Sequence, residues 1–411
     1  MKKKLNLSTK ILIALIAGIF VGILLQGSPE IADKFIKPFG TLFLNLIKLI
    51  VVPLVLASLV VGTFGLGDVK KIGKIGGKTL AYFLLTTAFA VILGLILANL
   101  LKVGAGYTIP VDAAADAKEI PSFIDTLLNI VPTNPFKAVV DGNMLQIIVF
   151  AIMLGTSIMA VGEKGKPLRE GFEGLAEAMY KMTGAIMEFA PYGVFALIIP
   201  VVAVHGPKVL LPLLKVIGVV YLGCLLHAIL VYGGTLKIFA NYSPMKFFKL
   251  ISPASMLAFT TASSAAALPL TMKSSEDMGV PKSISSFVIP LGATINMDGT
   301  ALYQGVCAFF IAQVYGLNLT IGQQVTVILT ATLASIGTAG VPGAGLIMLT
   351  MVLQAVGLPL EGLALIAGID RILDMARTSI NITGDAACAV IIAASEKELI
   401  SEASKAEGIS V

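Results

Sequence analysis

The sequence predicts an all-α protein that passes repeatedly through a membrane, and three observations predict it. Its 411 residues are 57% hydrophobic and only 13% charged, with a mean hydropathy of +0.95, whereas a soluble domain carries about 25% charged residues. Apolar runs long enough to cross a hydrocarbon layer of about 30 Å recur along the whole chain. The polar side chains inside those runs are gathered in a few places, which is where intramembrane chemistry is expected.

Taken in order, the spanning runs lie at about 10–26, 41–66, 78–102, 136–161, 172–203, 208–239, 283–316 and 358–394. Lys2, Lys3, Lys4 and Lys10 precede the first run, and Lys70, Lys71 and Lys74 follow the second, so the N-terminus and that loop are expected in the cytoplasm. The first run has no small-residue cleavage site and reads as an uncleaved helix. Gly18 and Gly22 on it allow a neighbouring helix to approach closely. Residues 104–135, polar and proline-bearing, read as an extracellular loop, and 395–411 as a charged, frayed cytoplasmic tail. The net charge of +5 is small and dispersed, which excludes nucleic acid as the expected partner.

Two regions do not fit as ordinary spans. About 246–275 contains Thr260-Thr261-Ala262-Ser263-Ser264, and about 320–357 contains Ser335-Ile336-Gly337-Thr338-Ala339-Gly340-Val341-Pro342-Gly343-Ala344-Gly345. Each has two short apolar arms around a centre of small, hydroxyl-bearing or glycine residues. That describes a re-entrant hairpin, whose irregular tip is tolerated only where it lines a polar cavity. Paired interrupted segments point to inverted repeats around a site at the membrane midplane.

Polar residues concentrate in two further places. The seventh run carries Gly292, Thr294, Asn296, Met297, Asp298 and Thr300, whose oxygens are hard ligands suited to a cation such as Na⁺. The last run carries a longer set. At about 100° per residue, with Asp370 at zero, Asp374 falls at about 40°, Arg377 at about 340°, Thr378 at about 80°, Asn381 at about 20°, Asp385 at about 60° and Arg371 at about 100°. This predicts a stripe facing the protein interior, outside which only Ser379 and Thr383 fall. Four carboxylates (Asp298, Asp370, Asp374, Asp385) against two guanidiniums leave a formal −2 at membrane depth, which calls for bound cations or shifted protonation. A transport or ion site follows.

Other signals read as structure. Gly65-Leu66-Gly67-Asp68 matches an intramembrane aspartyl protease motif but ends a helix beside lysines, with no second aspartate to pair with. The glycines around Gly340 lack the Gly-Lys-Ser/Thr of a phosphate loop. His205 and His227 have no carboxylate or cysteine at ligand spacing and read as structural. Lys48 and Glu188 read as snorkelling or locally paired, and Cys224, Cys307 and Cys388 as core. A channel-like anion pathway is the remaining alternative.

Asn296-Met-Asp-Gly-Thr300, Gly337 to Gly345 and Asp374 to Asp385 resemble the dicarboxylate/amino acid:cation symporter family, and the likeness runs in family order through the whole chain. It implies eight spans plus two hairpins and a homotrimer set in membrane lipid. The scaffold would be about 10–66 and 136–203, and about 78–102 with 208–394 would form a transport part moving as an elevator. It further implies Arg377 on the substrate's side-chain carboxylate and Asp374 on its ammonium, with Ser263, Ser264, Thr300, Val341, Gly345, Thr378 and Asn381 closing the pocket. One Na⁺ site would use Gly292, Asn296, Asn381 and Asp385. A second would use Thr294, Met297, Ser335, Ile336 and Thr338, mainly through their carbonyls. A third would use Asp298, Asn296, Thr86, Thr87 and the carbonyl of Phe83.

The resemblance therefore implies Na⁺-coupled uptake of L-aspartate or L-glutamate across a prokaryotic plasma membrane, with H⁺-coupled glutamate or C4-dicarboxylate symport as the alternative. Two positions depart from the pattern. Phe83 stands where archaeal members have a tyrosine, and Ala262 where they have an arginine. Arg371 is expected to replace that arginine and to pair with Asp374 or Asp370.

Overall fold

The computed structural model describes residues 7–72, 74–105, 131–206, 210–336 and 344–400. Among them there are helices and no strands, as expected where every backbone polar group must be satisfied within the chain. Five helical stretches are long and apolar enough to cross a membrane: Pro29–Phe64, Ile75–Leu100, Gln146–Glu188, Leu211–Ala240 and Asp370–Ser395. Thr338, Val341, residues 106–130 of the expected extracellular loop and residues 401–411 of the tail lie outside the described residues.

One group of helices packs around α2 (Lys37–Ile72). It comprises α1 (Leu7–Leu24), α5 (Met144–Val161), α6 (Lys166–Glu188) and α7 (Ala190–His205), with the short α4 (Pro135–Asp141) leading into α5. The glycine pair on α1 acts as the spacing suggests. A Cβ on Gly18 would strike Ile198, and one on Gly22 would lie 2.7 Å from Val202 Cβ, so α1 and α7 touch almost backbone to backbone. The fifth run, expected as one span at 172–203, is instead two helices. α6 ends at Glu188, Phe189 caps it, and Pro191 sits in the first turn of α7, where a missing N–H is harmless.

A second group surrounds α17 (Asp370–Ser395): α3 (Lys74–Leu100), α8 (Leu210–His227), α9 (Gly234–Ala240), α10 (Pro244–Thr261), α11 (Ser264–Asp277), α12 (Lys282–Ile295) and α13 (Asp298–Val314). α3 lies along α13, and Gly94 faces the Leu302 carbonyl so closely that any side chain would collide with it. α14 (Ile321–Ala334) and α15 (Ala344–Ala355) complete the group and also reach α2 and α5.

The expected interruptions have physical form here. α10 and α11 are two arms broken at Ala262, which takes a left-handed conformation (φ +48°) and donates its N–H to the Ala258 carbonyl. Ser263 then caps α11 by accepting from the Ala266 N–H. α14 begins with a capping box of Thr320 and Gln323. The seventh run, read as one span, is two helices meeting at Asn296, whose backbone is extended, and Met297, with Asp298 in the first turn of α13, where the helix dipole favours an anion. The sixth run contains a π turn, Ala228–Gly233.

The eighth run, read as continuous from 358 to 394, starts with a 3₁₀ turn (Leu360–Gly362) and the short α16 (Leu363–Ala367), and the long helix begins only at Asp370. Its far half is enclosed on all sides, since every residue from Ile380 to Ala393 is buried. Thr383, off the predicted arc, meets Ser255 of α10 hydroxyl to hydroxyl at 2.9 Å. The first part of the tail is also not frayed. Lys78 pairs with Glu396 and donates to Ser395, and the Ile400 N–H donates to the Gly279 carbonyl at 2.9 Å.

Candidate functional site

The site is built on α17 because that helix is enclosed by the others, and its polar side chains can be satisfied only by one another or by a ligand. Asp370, Asp374, Arg377, Thr378, Asn381 and Asp385 are all buried. Arg377 is fully buried and donates through Nη1 to Asp370 Oδ1 at 2.9 Å and through Nη2 to Asp374 Oδ1 at 2.8 Å. Its guanidinium carbon lies 4.0 Å from the centre of the Tyr303 ring, a cation–π stack contributed by α13.

Two glycines leave room for this group. A Cβ on Gly345 would lie 2.5 Å from Arg377 Nη2, and one on Gly299 would lie 2.5 Å from the Arg377 carbonyl oxygen. The start of α15 therefore rests directly on the guanidinium. Ser264, buried at the start of α11, and Ser263, its cap, mark the first hairpin's tip. Arg371 donates through Nη2 to the Thr261 carbonyl at 3.0 Å, with Nη1 3.9 Å from Asp374 Oδ2.

One turn further along, Asn381 joins the two parts of the site. Its Oδ1 accepts from the Gly299 N–H at 2.8 Å, and its Nδ2 lies 3.3 Å from Thr300 Oγ1 and 3.2 Å from Met297 Sδ. Asn296 donates from Nδ2 to the Asn381 carbonyl and to Asp385 Oδ1, both at 2.9 Å. Those two bonds fix the amide so that Asn296 Oδ1 is buried with no hydrogen-bond partner. A buried orphan acceptor beside a buried carboxylate fits a hard cation, which brings positive charge without needing a donor hydrogen. Gly292 belongs to the same cradle, since any Cβ there would strike Asp385 Oδ1.

Asp298 lies at the other side of Asn296. The Thr87 hydroxyl donates to its Oδ1 at 2.6 Å and the Tyr232 hydroxyl to its Oδ2 at 2.8 Å, while His227 Nε2 lies 3.0 Å from Oδ2. His227 is therefore not merely structural packing. His227 immediately precedes the π turn and Tyr232 lies within it, so the turn sets both side chains toward the carboxylate. Sequence spacing could not show this, because 71 residues separate His227 from Asp298. Tyr303, the stacking partner of Arg377, was also missed, as one tyrosine within an apolar helix.

Several expected ligands direct their hydroxyls to nearby carbonyls of the same segment. Thr86 turns its hydroxyl to the carbonyl of Phe83 in its own helix, and Thr294 is exposed and bonds the Leu291 carbonyl. Ser335 and Ile336 are buried, and the Ser335 hydroxyl donates to the Thr332 carbonyl.

The charge divides unevenly along the site. Arg377 and Arg371 sit among Asp370 and Asp374, whereas among the described residues no lysine or arginine pairs with Asp298 or Asp385. The formal deficit of −2 is thus concentrated at the end with the orphan amide oxygen. The arrangement can hold an anionic group at Arg377 and cations near Asp385.

Known proteins share this architecture in sequence. A profile described as the sodium:dicarboxylate symporter family matches residues 7–395. The chain is 44% identical to the proton/sodium-glutamate symport protein of Geobacillus stearothermophilus, covering 98% of this chain and 97% of that one. It is 40% identical to the proton/glutamate-aspartate symporter of Escherichia coli (95% and 93% covered) and 34% identical to the C4-dicarboxylate transport protein of Bacillus subtilis (97% and 95% covered). With matches of that length and a helical, membrane-spanning architecture, the chain belongs to the sodium:dicarboxylate symporter family.

Proposed function

We propose that this protein is a secondary active transporter that takes up L-aspartate or L-glutamate with Na⁺ across a prokaryotic plasma membrane. The observation that carries the reading is Arg377, fully buried between two carboxylates and faced by Gly345 and Gly299. A guanidinium in that setting offers a bidentate fork to a substrate carboxylate. Asp374, released from Arg377 by the incoming carboxylate, becomes the acceptor for an α-ammonium, which favours an amino acid over a plain dicarboxylate. Ser263, Ser264, Thr300, Val341, Gly345, Thr378 and Asn381 would close around the remainder.

An acidic amino acid adds −1 to a site already at −2, so roughly two or three cations would enter with it. Asp385, Asn296, Asn381 and Gly292 would hold one. Thr294, Met297, Ser335, Ile336 and Thr338 would contribute to a second. Asp298 with Asn296, Thr86, Thr87 and Phe83 would contribute to a third. The eight-span, two-hairpin topology with inverted repeats, cytoplasmic termini and a homotrimeric assembly belong to the same reading. So does an elevator in which the helices around α17 slide against those around α2; what supports that division is that α3 and α8 to α13 pack on α17, whereas α5, α6 and α7 pack on α2.

Labelled aspartate uptake into proteoliposomes under separate Na⁺ and H⁺ gradients tests the coupling. Accumulation is expected with Na⁺ alone, and accumulation driven equally well without Na⁺ overturns it. The second reading is H⁺-coupled uptake of glutamate or a C4-dicarboxylate, favoured by relatives named as proton symporters and C4-dicarboxylate transport proteins.

A further inference from the structure

Arg371 is the one charge of the polar stripe that neither the substrate fork nor the cation cradle uses. It reaches out of α17 to the tip of the first hairpin, where its Nη2 donates to the Thr261 carbonyl at 3.0 Å. Thr261 is the last residue of α10, so its carbonyl is one of the four at that helix end with no intrahelical donor, and it carries the negative end of the dipole. A guanidinium there satisfies the orphan acceptor and the dipole together. The next residue, Ala262, is a non-glycine residue held at φ +48° and buried, a conformation that persists only where its surroundings impose it. On its other side Arg371 faces Asp374, the carboxylate that Arg377 also binds.

We infer that Arg371 is a positioning residue that latches the tip of the first hairpin onto α17 and ties the hairpin's opening to the charge on Asp374. The mechanism needs no proton transfer. With Asp374 beside it, the Arg371 guanidinium is held in place to grip the Thr261 carbonyl. A ligand ammonium drawn to Asp374 adds a positive charge close to Arg371 and weakens that hold. The hairpin tip therefore loosens or tightens according to what occupies Asp374. The inference rests on the transport reading and adds to it that this hairpin opens.

The test is the opening itself. Cys224, Cys307 and Cys388 are buried, so a cysteine introduced by Ala262→Cys in the full-length reconstituted protein is read against a low background. A membrane-impermeant thiol reagent is applied from each side in turn, with and without aspartate and Na⁺. Losing a charge-assisted bond at the latch, Arg371→Met should raise the labelling rate by roughly tenfold or more. Arg371→Lys keeps the charge but loses the fork, and should label at a rate between wild type and Arg371→Met. Asp374→Asn in the Arg371→Met background should change labelling little further.

Unchanged labelling in Arg371→Met, with aspartate binding retained, overturns the latch. If Arg371→Met does not fold, Arg371→Lys decides alone: wild-type labelling overturns the proposal and faster labelling supports it. Labelling needs no gradient and no accumulation. A wild-type protein that fails to accumulate aspartate would sink the transport reading while leaving this result to stand or fall by itself.

Discussion

Gly345 sets the first turn of α15 against the Arg377 guanidinium, at a distance where a single added carbon would lie 2.5 Å from Nη2. The guanidinium cannot retreat, because Asp370 and Asp374 hold it from one side and Tyr303 from another. Gly345→Ala must therefore displace either the arginine or the hairpin. Overpacking of this kind costs about 1–3 kcal/mol, so aspartate affinity should fall roughly tenfold or more. Titration calorimetry of the purified variant, with circular dichroism to confirm the fold, checks it.

Asp374 discriminates between substrate classes in the proposed site. Asp374→Asn keeps an oxygen near Arg377 but removes the counter-charge for an ammonium. Affinity for aspartate should drop about ten- to hundredfold, the range for losing a charged hydrogen bond in a buried site. Succinate, which has no ammonium, should lose far less, so the succinate-to-aspartate ratio rises in competition uptake. An equal loss for both would mean that Asp374 serves only to hold Arg377.

Asp385 and Asn296 make a prediction about the cation. Asp385→Asn removes the anionic ligand while leaving a shape-matched acceptor, so the Na⁺ concentration for half-maximal aspartate binding should rise roughly tenfold or more. Gly292→Ala should act in the same direction by pushing a methyl group into Asp385. Aspartate binding measured across a Na⁺ series separates this from damage at Arg377, which would weaken binding even at saturating Na⁺.

How much of this was legible in the sequence depends on whether the signal was local. The stripe on α17 follows from the helical repeat, and the break between α10 and α11 follows from short apolar arms around small residues, so both could be read in advance. The breaks inside the seventh and eighth runs were not visible, because Asn296 and Asp298 mark a polar site without marking a change of backbone, and Gly368-Ile369 stay apolar and right-handed where one helix gives way to the next. The fifth run was misread for a related reason: α6 is amphipathic and α7 apolar, and their sum resembles one long span. The cage around Asp298 lay furthest from view, since its donors come from α3 and from both ends of a π turn. No residue spacing encodes a contact set by tertiary packing.

That cage supports the last prediction. Asp298 is buried, with Thr87, Tyr232 and His227 supplying its hydrogen-bonding partners, so each deletion leaves an acceptor less satisfied. Tyr232→Phe should lower stability by about 1–3 kcal/mol, as should His227→Ala, which also opens a cavity. The two act on the same carboxylate oxygen, so the double variant should not equal the sum of the singles. Because Asp298 is joined through the Asn296–Met297 break to the cradle at Asp385, Na⁺ should also raise the melting temperature less in these variants than in the wild type. Thermal unfolding with and without Na⁺ measures both quantities. Additive losses together with an unchanged Na⁺ shift would show that the cage supports only the fold and leaves the cation site untouched.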